Sequence, residues 1–221
     1  MTPTDSNTKR SKPPGEQRVL EGIVTTFCQD GSVNIAPMGP LVDDPMQRMT
    51  LRPYQSSTTY ANLSRDGVGV FHVTDDAELI ARAAIGQLDP PPPTRPAPGI
   101  DGAILVGACR WYAFQVISLD DRDQRTTIEV RVVEEGRQRD FFGFNRAMHA
   151  VVEAAILATR IELLPREEII AELERLAPLV NKTGGSRERR AFEMVRQFVQ
   201  SSFDAGDRAS LAEGACTAVR P

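Results

Sequence analysis

The sequence predicts an α+β protein in which a β-rich half precedes a helical half. Up to about residue 140, apolar and β-branched runs alternate with turn residues, which is typical of antiparallel strands. After "RDFFG" the apolar residues recur at helical spacing and alanine becomes frequent. We therefore expect a sheet of roughly six strands with two short helices, followed by three helices.

The first predicted elements are a hairpin and a third strand. "VLEGIVTTFC" and "VNIAPMGPLV" are rich in β-branched and apolar residues and flank the turn residues "QDGS". "QRMTLRPY" then alternates apolar and polar residues, which places Thr50 and Arg52 on one face of the third strand.

A helix, a strand and a second helix follow. Serine and threonine residues open "SSTTYANLSRDG", as at a helix N-terminus, and its glycine ends the helix. "VGVFHVT" predicts a strand, and "DDAELIARAAIG" predicts a helix with Asp75 or Asp76 as N-cap and Gly86 as its stop. Residues 87–99 are proline-rich and predict a stiff, extended connection.

The rest of the chain predicts two long strands and three helices. The strands are "AILVGACRWYAFQVISL" and "RTTIEVRVVEEG", joined by the charged turn "DDRDQ". The helices cover residues 144–160, 165–180 and 186–202. We expect four regions: a disordered tail at 1–17, a strand-rich domain at 18–140, a helical domain at 141–203 and a polar tail at 204–221.

Composition and charge exclude several classes of function. A formal net charge of −4 disfavours a nucleic-acid or membrane-surface partner, because both require a clustered basic excess. No apolar run has the length of a membrane span or the form of a signal peptide. Cys28, Cys109 and Cys216 are widely separated and only two histidines are present, so we expect no metal site and a reducing, cytoplasmic environment.

The stretch "NIAPMG", residues 34–39, carries a proline and a glycine inside a predicted strand. Both residue types weaken a strand interior, so this backbone forms either an edge strand or bulge, or the surface against which a ligand lies. In the second interpretation, small residues and exposed backbone groups hydrogen-bond the heteroatoms of a flat ring.

A second segment has the composition of a phosphate site. In "LRPYQSSTTYANL", Arg52 and the hydroxyl residues at 56–59 immediately precede a helix, whose first N–H groups and dipole attract an anion. The alternative is an ordinary helix cap with an arginine in a surface ion pair. Taken together, the two segments predict a phosphorylated planar ligand.

A family resemblance covers both segments. "IVTTFCQDGSVNIAPMG", "LRPYQSSTTYANL" and "VGVFHVTDD" resemble the FMN-binding split β-barrel of flavin reductases and pyridoxamine-phosphate-oxidase-like proteins. With "FFGFNRAMHAVVEAAILATR" and "VNKTGGSRERRAFEMV", the chain is identified as a member of the family called domain of unknown function 447, over about residues 18–202. The resemblance implies a homodimer of FMN-binding split β-barrels, each followed by a small helical domain, with the flavin near the dimer interface.

The resemblance also implies which residues contact the flavin. The strand that contacts the ring corresponds to Asn34, Ile35, Ala36, Pro37 and Met38. The segment that contacts the phosphate corresponds to Thr59 and Asn62, with Arg52, Ser57 and Thr58 nearby. An arginine leads this segment, where flavin reductases have a lysine.

One face of the first C-terminal helix carries four polar residues, Asn145, His149, Glu153 and Arg160. This face is either solvated and ion-paired, or His149 and Glu153 reach over the flavin and bind or protonate a substrate. Lys182 is a further candidate for an anion ligand at a helix end.

Three other residues of interest are expected to serve packing. His72 lies inside a predicted strand, where a packed or hydrogen-bonded histidine is the default interpretation. Trp111 and Tyr112 could stack on a flavin, but core or interface packing is the default for them as well.

The sequence shows none of the common motifs of nucleophilic or dinucleotide-dependent enzymes. We therefore expect bound FMN to carry any redox reaction, in an oxidoreductase of the flavin-reductase type. The alternative is a non-catalytic protein that binds FMN or another phosphorylated ligand, and a purely structural role would leave both segments unexplained. The resemblance further implies a link to methanopterin-dependent one-carbon metabolism.

Overall fold

The computed structural model describes residues 18–217, with side chains described as far as Ala205. The predicted tail at 1–17 and the last residues, 218–221, lie outside the described part of the chain. Within it, strands form a curled sheet and helices pack beside that sheet, so the predicted α+β class is confirmed.

The strands form one large antiparallel sheet and one small hairpin. The strands are β1 (Arg18–Val19), β2 (Gly22–Phe27), β3 (Val33–Met38), β4 (Leu41–Val42), β5 (Arg48–Leu51), β6 (Val68–Val73), β7 (Thr94–Pro96), β8 (Ala103–Leu105), β9 (Arg110–Asp120) and β10 (Thr127–Arg137). The eight-stranded sheet has the order β1-β4-β5-β10-β9-β6-β2-β3 and curls into a half-barrel, while β7 pairs with β8. The order makes β3 an edge strand.

The strand predicted to begin at Ala103 is interrupted. Its first residues form β8, and a turn in which Ala108 N–H donates to Leu105 O at 3.2 Å separates them from β9. β8 pairs with β7, which lies within the proline-rich segment 87–99. The expected extended connection is therefore partly a hairpin that covers the sheet.

Alternation of apolar and polar residues builds the core of the half-barrel. Met49 and Leu51 of β5 are buried, at 2% and 0% exposure, as their period of two predicts. Arg52 lies beyond the end of β5 and is exposed. The expectation that Thr50 and Arg52 share a strand face was therefore wrong, because the strand ends one residue before Arg52.

The helices are α1 (Thr58–Asp66), α2 (Ala77–Ala84), α3 (Arg146–Ala158), α4 (Arg166–Thr183) and α5 (Ser186–Thr217). Ser57 caps α1, and Gly67 ends it with a left-handed φ of 66°, a conformation that favours glycine. Asp76, not Asp75, is the N-cap of α2. No helix in residues 18–217 is both long and apolar enough to cross a membrane.

Four helices share a second core beside the sheet. α3 lies at its centre, where its buried alanines allow α2, α4 and α5 to approach closely. α2 precedes residue 141, so the helical layer contains residues from both predicted domains. α5 continues to Thr217, past the predicted helix end at residue 202, so residues 204–217 of the predicted polar tail are helical.

Two adjacent aspartates join the half-barrel to the segments that follow it. Asp75 pairs with the Arg139 guanidinium and accepts a hydrogen bond from Phe142 N–H at 2.8 Å. The bonds from Arg139 and the Phe142 amide lower the pKa of Asp75 to about 2. Asp76 pairs with Arg187 of α5 at 2.7 Å.

Candidate functional site

The edge position of β3 explains why a proline is tolerated in this strand. Two backbone bonds fix the alternation of the β2–β3 ladder, Leu20 N–H to Pro40 O at 3.1 Å and Cys28 N–H to Ser32 O at 2.8 Å. By this alternation the backbone groups of Ile35 and Pro37 point away from β2, where the missing N–H of Pro37 costs no ladder bond. The outward N–H and C=O of Ile35 and the C=O of Pro37 have no partner among the described residues.

Gly39, just beyond β3, leaves room for a neighbouring carboxylate. A Cβ atom at Gly39 would lie 2.8 Å from Glu21 Oε1 and 2.8 Å from Val19 Cγ1. Burial, followed by the negative charge of nearby Glu153, raises the pKa of Glu21. Glu153, one of the predicted site residues, therefore lies near the end of β3 that carries Met38.

A hydrogen-bonded cluster brings the two predicted ligand segments together. Asn34 Nδ2 of β3 donates to Thr59 Oγ1 of α1 and to Thr26 Oγ1 of β2, both at 3.1 Å. Asn62 Nδ2 of α1 donates to the same Thr26 hydroxyl at 2.9 Å. Thr26, Thr59 and Asn62 are each no more than 3% exposed, so their side chains fasten α1 to β2 and β3.

Sequence reasoning missed two residues that position this cluster. Thr26 is its centre, and Arg65 donates to Asn62 Oδ1 at 3.3 Å and to Phe27 O at 2.7 Å. The available signal was the pair "TT" in the apolar run "IVTTF", since a buried hydroxyl requires a partner.

The N-terminus of α1 presents polar groups outside this cluster. Ser57 uses its hydroxyl as the helix cap, accepting from Tyr60 N–H at 3.2 Å and donating to Tyr54 O at 2.7 Å. The N–H groups of Thr58 and Thr59 meet no acceptor in the described part of the chain. Ser56, Thr58 and Arg52 are exposed, and the Arg52 guanidinium has no ion pair among residues 18–205. This end of the helix can therefore hold an anion.

Only two of the four residues of the predicted polar face lie within α3. Asn145 is the N-cap of α3, accepting from Ala147 N–H at 2.8 Å, and Arg160 follows the end of α3. His149 and Glu153 remain as exposed residues on the body of α3, one turn apart. The His149 ring stacks on the exposed Phe144 ring with centroids 6.1 Å apart. Lys182 is exposed in the last turn of α4.

The three residues assigned to packing are buried. Both ring nitrogens of His72 are hydrogen-bonded: Nδ1–H donates to Ile23 O at 3.2 Å, and Nε2 accepts from Leu105 N–H at 3.1 Å. Burial lowers the pKa of His72 to about 4, so the imidazole is neutral. Trp111 packs beneath the β7–β8 hairpin and Tyr112 packs in the half-barrel core.

The curled antiparallel sheet with its helical layer defines the chain as a split-barrel protein with a helical appendage. The chain belongs to the family described as protein of unknown function (DUF447). Its N-terminal domain model matches residues 20–139, and its C-terminal domain model matches residues 145–197.

Several solved structures are similar to this chain. An FMN-bound DUF447 protein from Methanosarcina mazei is 23% identical, with a TM-score of 0.72 over 84% of this chain and 97% of that chain. The styrene monooxygenase flavin reductase of Pseudomonas putida S12 is 15% identical, with a TM-score of 0.44 over 54% of this chain and 80% of that chain. The 2-nitrobenzoate 2-nitroreductase of Pseudomonas fluorescens is 18% identical, with a TM-score of 0.46 over 57% and 66%.

Proposed function

We propose that this protein binds FMN, with the phosphate at the start of α1 and the ring system along the open edge of β3. The observation that supports this most strongly is the bond between Asn34 of β3 and Thr59 of α1, because it joins the two predicted ligand segments. The Methanosarcina mazei family member was solved with FMN bound, which supports the same ligand here.

The chemistry of the exposed groups fits FMN. A phosphate dianion can accept hydrogen bonds from the backbone N–H groups of Thr58 and Thr59 at the start of α1. The hydroxyls of Ser56 and Thr58 and the guanidinium of Arg52 are exposed nearby and can donate to it as well. The outward backbone groups of Ile35 and Pro37 offer a donor and two acceptors to the polar edge of a flavin ring. From Asn34 to Met38 the strand spans about 13 Å at the usual rise per residue. Since α1 meets the strand at Asn34, the ring can lie along the strand towards Met38 while the phosphate stays at the start of α1.

Bound FMN would supply the redox chemistry of an oxidoreductase of the flavin-reductase type. In this proposal the backbone of β3 orients the ring, and α1 with Arg52 holds the phosphate. His149 and Glu153 of α3 bind or protonate a substrate beyond the Met38 end of the strand, where Glu21 adds a second carboxylate. A pterin-related substrate is the first class to test, on the family resemblance alone.

We also propose that the protein is a homodimer. Ile117 of β9 and Val133 of β10 are apolar side chains exposed at 50% and 37%, and a second copy of the sheet would cover them. Sedimentation equilibrium gives the mass in solution, and a monomer at all concentrations would contradict this part of the proposal.

The proposal is tested by titrating flavin-free protein with FMN and following the flavin fluorescence. Saturable quenching at one FMN per chain is expected, and no binding would contradict the proposal. Reduced nicotinamides and reduced pterins are then offered to the loaded protein. Steady turnover identifies an enzyme, whereas a flavin that stays oxidised with every donor identifies the alternative, a non-catalytic FMN-binding protein.

The two α3 residues are tested in the same assays. His149→Ala should leave FMN binding unchanged, because His149 lies on α3 and not at either flavin-contacting segment, and should lower any turnover. Equal turnover in the variant would show that His149 belongs to a solvated helix face and takes no part in the reaction.

A further inference from the structure

Arg125 lies next to the proposed phosphate site but on a distant part of the sequence. It belongs to the turn between β9 and β10, and its Nε donates to the backbone carbonyl of Arg52 at 3.2 Å. Its guanidinium carbon lies 5.8 Å from the centre of the Tyr54 ring. The aromatic ring and the carbonyl together hold the guanidinium over the segment that leads into α1.

The β9–β10 turn is fastened to this segment by backbone and side-chain bonds. Tyr54 and Arg125 form an isolated antiparallel bridge, and Gln55 N–H donates to Gln124 O at 2.9 Å. The buried Thr126 donates its hydroxyl to Pro53 O at 2.8 Å. The position of Arg125 relative to the start of α1 is therefore set by the fold.

The path from Tyr54 to α1 is a single tight turn. Ser57 N–H donates to Tyr54 O at 2.9 Å, so the two residues at the ends of the turn are neighbours in space. Ser57 is the N-cap of α1, and the N–H groups of Thr58 and Thr59 follow it directly. Arg125 thus lies within one turn of the groups proposed to hold the phosphate.

The charge of Arg125 is available to an anion. Its Nη atoms have no acceptor in the described part of the chain, and no carboxylate pairs with it there. Arg122 of the same turn differs, because both oxygens of Asp120 engage its guanidinium. The neighbouring Asp121 accepts a hydrogen bond from the Tyr60 hydroxyl at 2.8 Å.

We propose that Arg125 is a second guanidinium ligand of the FMN phosphate, beside Arg52. This inference rests on the proposed FMN site and adds a residue that neither the sequence motif nor the helix N-terminus identifies. A phosphate monoester carries close to two negative charges, which two guanidinium groups and the helix N-terminus neutralise together. Arg125 would then select FMN over riboflavin, which has the same ring system without the phosphate.

The test compares FMN and riboflavin on the full-length, flavin-free protein and two variants. Arg125→Ala should raise the dissociation constant for FMN about ten- to hundredfold, the usual effect of losing one charge-assisted hydrogen bond. The dissociation constant for riboflavin should change less than about twofold in the same variant. Arg122→Ala removes an equal charge from the same turn and should leave both constants unchanged.

Each outcome has a definite meaning. An unchanged FMN constant in Arg125→Ala, or an equal loss for FMN and riboflavin, would overturn the role of Arg125 while leaving the FMN site intact. A wild-type protein that binds neither flavin would overturn the proposed function itself, and the inference with it. An equal loss in Arg122→Ala would show that only the overall charge of the turn matters, which also overturns a direct contact.

Discussion

Pro37 occupies a strand position at which a missing N–H is harmless, because that side of β3 faces no other strand of residues 18–217. The sequence left open whether residues 34–39 form an edge strand or a ligand surface. The structure shows an edge, and an edge also leaves the backbone groups of Ile35 and Pro37 open to a ligand. The two interpretations of Pro37 are therefore compatible.

Thr59 and Asn62 show a limit of reading a site from sequence. Their position in the predicted phosphate segment was available from the chain order. Their internal bonds were not, because Thr26 lies 36 residues from Asn62 and the pairing depends on the fold. The side chains of these two residues hold α1 in place, and the proposed phosphate contact of Thr59 is through its backbone N–H.

Arg52→Ala should weaken FMN binding by about 1.5 to 3 kcal/mol, because a charge-assisted hydrogen bond to the phosphate is lost. The free energy of binding is measured by fluorescence titration, with riboflavin as the ligand that lacks the phosphate. Arg48→Ala is a matched control, since Arg48 is also an exposed arginine on the strand that ends just before Arg52. Unchanged FMN affinity in a folded Arg52→Ala protein would remove Arg52 from the site.

His72 should make the stability of the protein fall as the pH is lowered from about 6.5 to about 4. Its pKa is about 4 in the folded protein and 6.5 in the unfolded chain, so the unfolded chain binds more protons between these values. The difference corresponds to about 3 kcal/mol at most. Urea unfolding across this range measures the free energy of unfolding.

His72→Gln is the comparison for that measurement, because a glutamine amide can donate to Ile23 O and accept from Leu105 N–H. The variant should lose less stability on acidification than the wild type. Parallel pH profiles of the two proteins would show that His72 does not titrate as described.

At the scale of elements, the segment between β10 and α3 is an exposed aromatic stretch with a firm anchor. Phe142 and Phe144 are 81% and 95% exposed, yet the backbone of Phe142 is held by Asp75 and the Phe144 ring stacks on His149. Helix periodicity predicted α3 well. It could not predict this anchor, since Asp75 and Phe142 are 67 residues apart.

Asp75→Asn should loosen the aromatic stretch, because the neutral amide loses the ion pair with Arg139. Limited chymotrypsin digestion at the exposed phenylalanines measures this, and cleavage of the variant should be faster than cleavage of the wild type. Asp44→Asn is a control, since Asp44 forms an exposed ion pair with Arg18 away from this segment. Equal cleavage rates in Asp75→Asn and wild type would contradict the anchoring role.

The carboxyl group of Asp75 should also make the free energy of unfolding depend on pH in acid. The pKa of Asp75 is about 2 in the folded protein, below its usual 3.8, so the stabilisation is present above pH 3.8 and is lost as the pH falls towards 2. The shift corresponds to about 2 kcal/mol. In Asp75→Asn this part of the acid response should be missing when unfolding is measured over that range.

At the scale of the whole molecule, the split-barrel sheet places a strand edge and a helix N-terminus side by side. Sequence periodicity predicted the class and most elements, and composition singled out the two segments that are proposed to bind the ligand. Local sequence did not predict three features: the interruption of the strand that begins at Ala103, the extension of α5, and the inclusion of α2 in the helical core. Tertiary packing decides all three.

FMN binding to the joined surface of β3 and α1 can be tested on the protein as it is purified. The most direct measurement is the near-ultraviolet and visible absorbance spectrum of the purified protein, with any chromophore released by heat and identified by mass. We expect a flavin spectrum and released FMN, either as purified or after incubation with FMN. A colourless protein that takes up no FMN would contradict FMN binding at this surface.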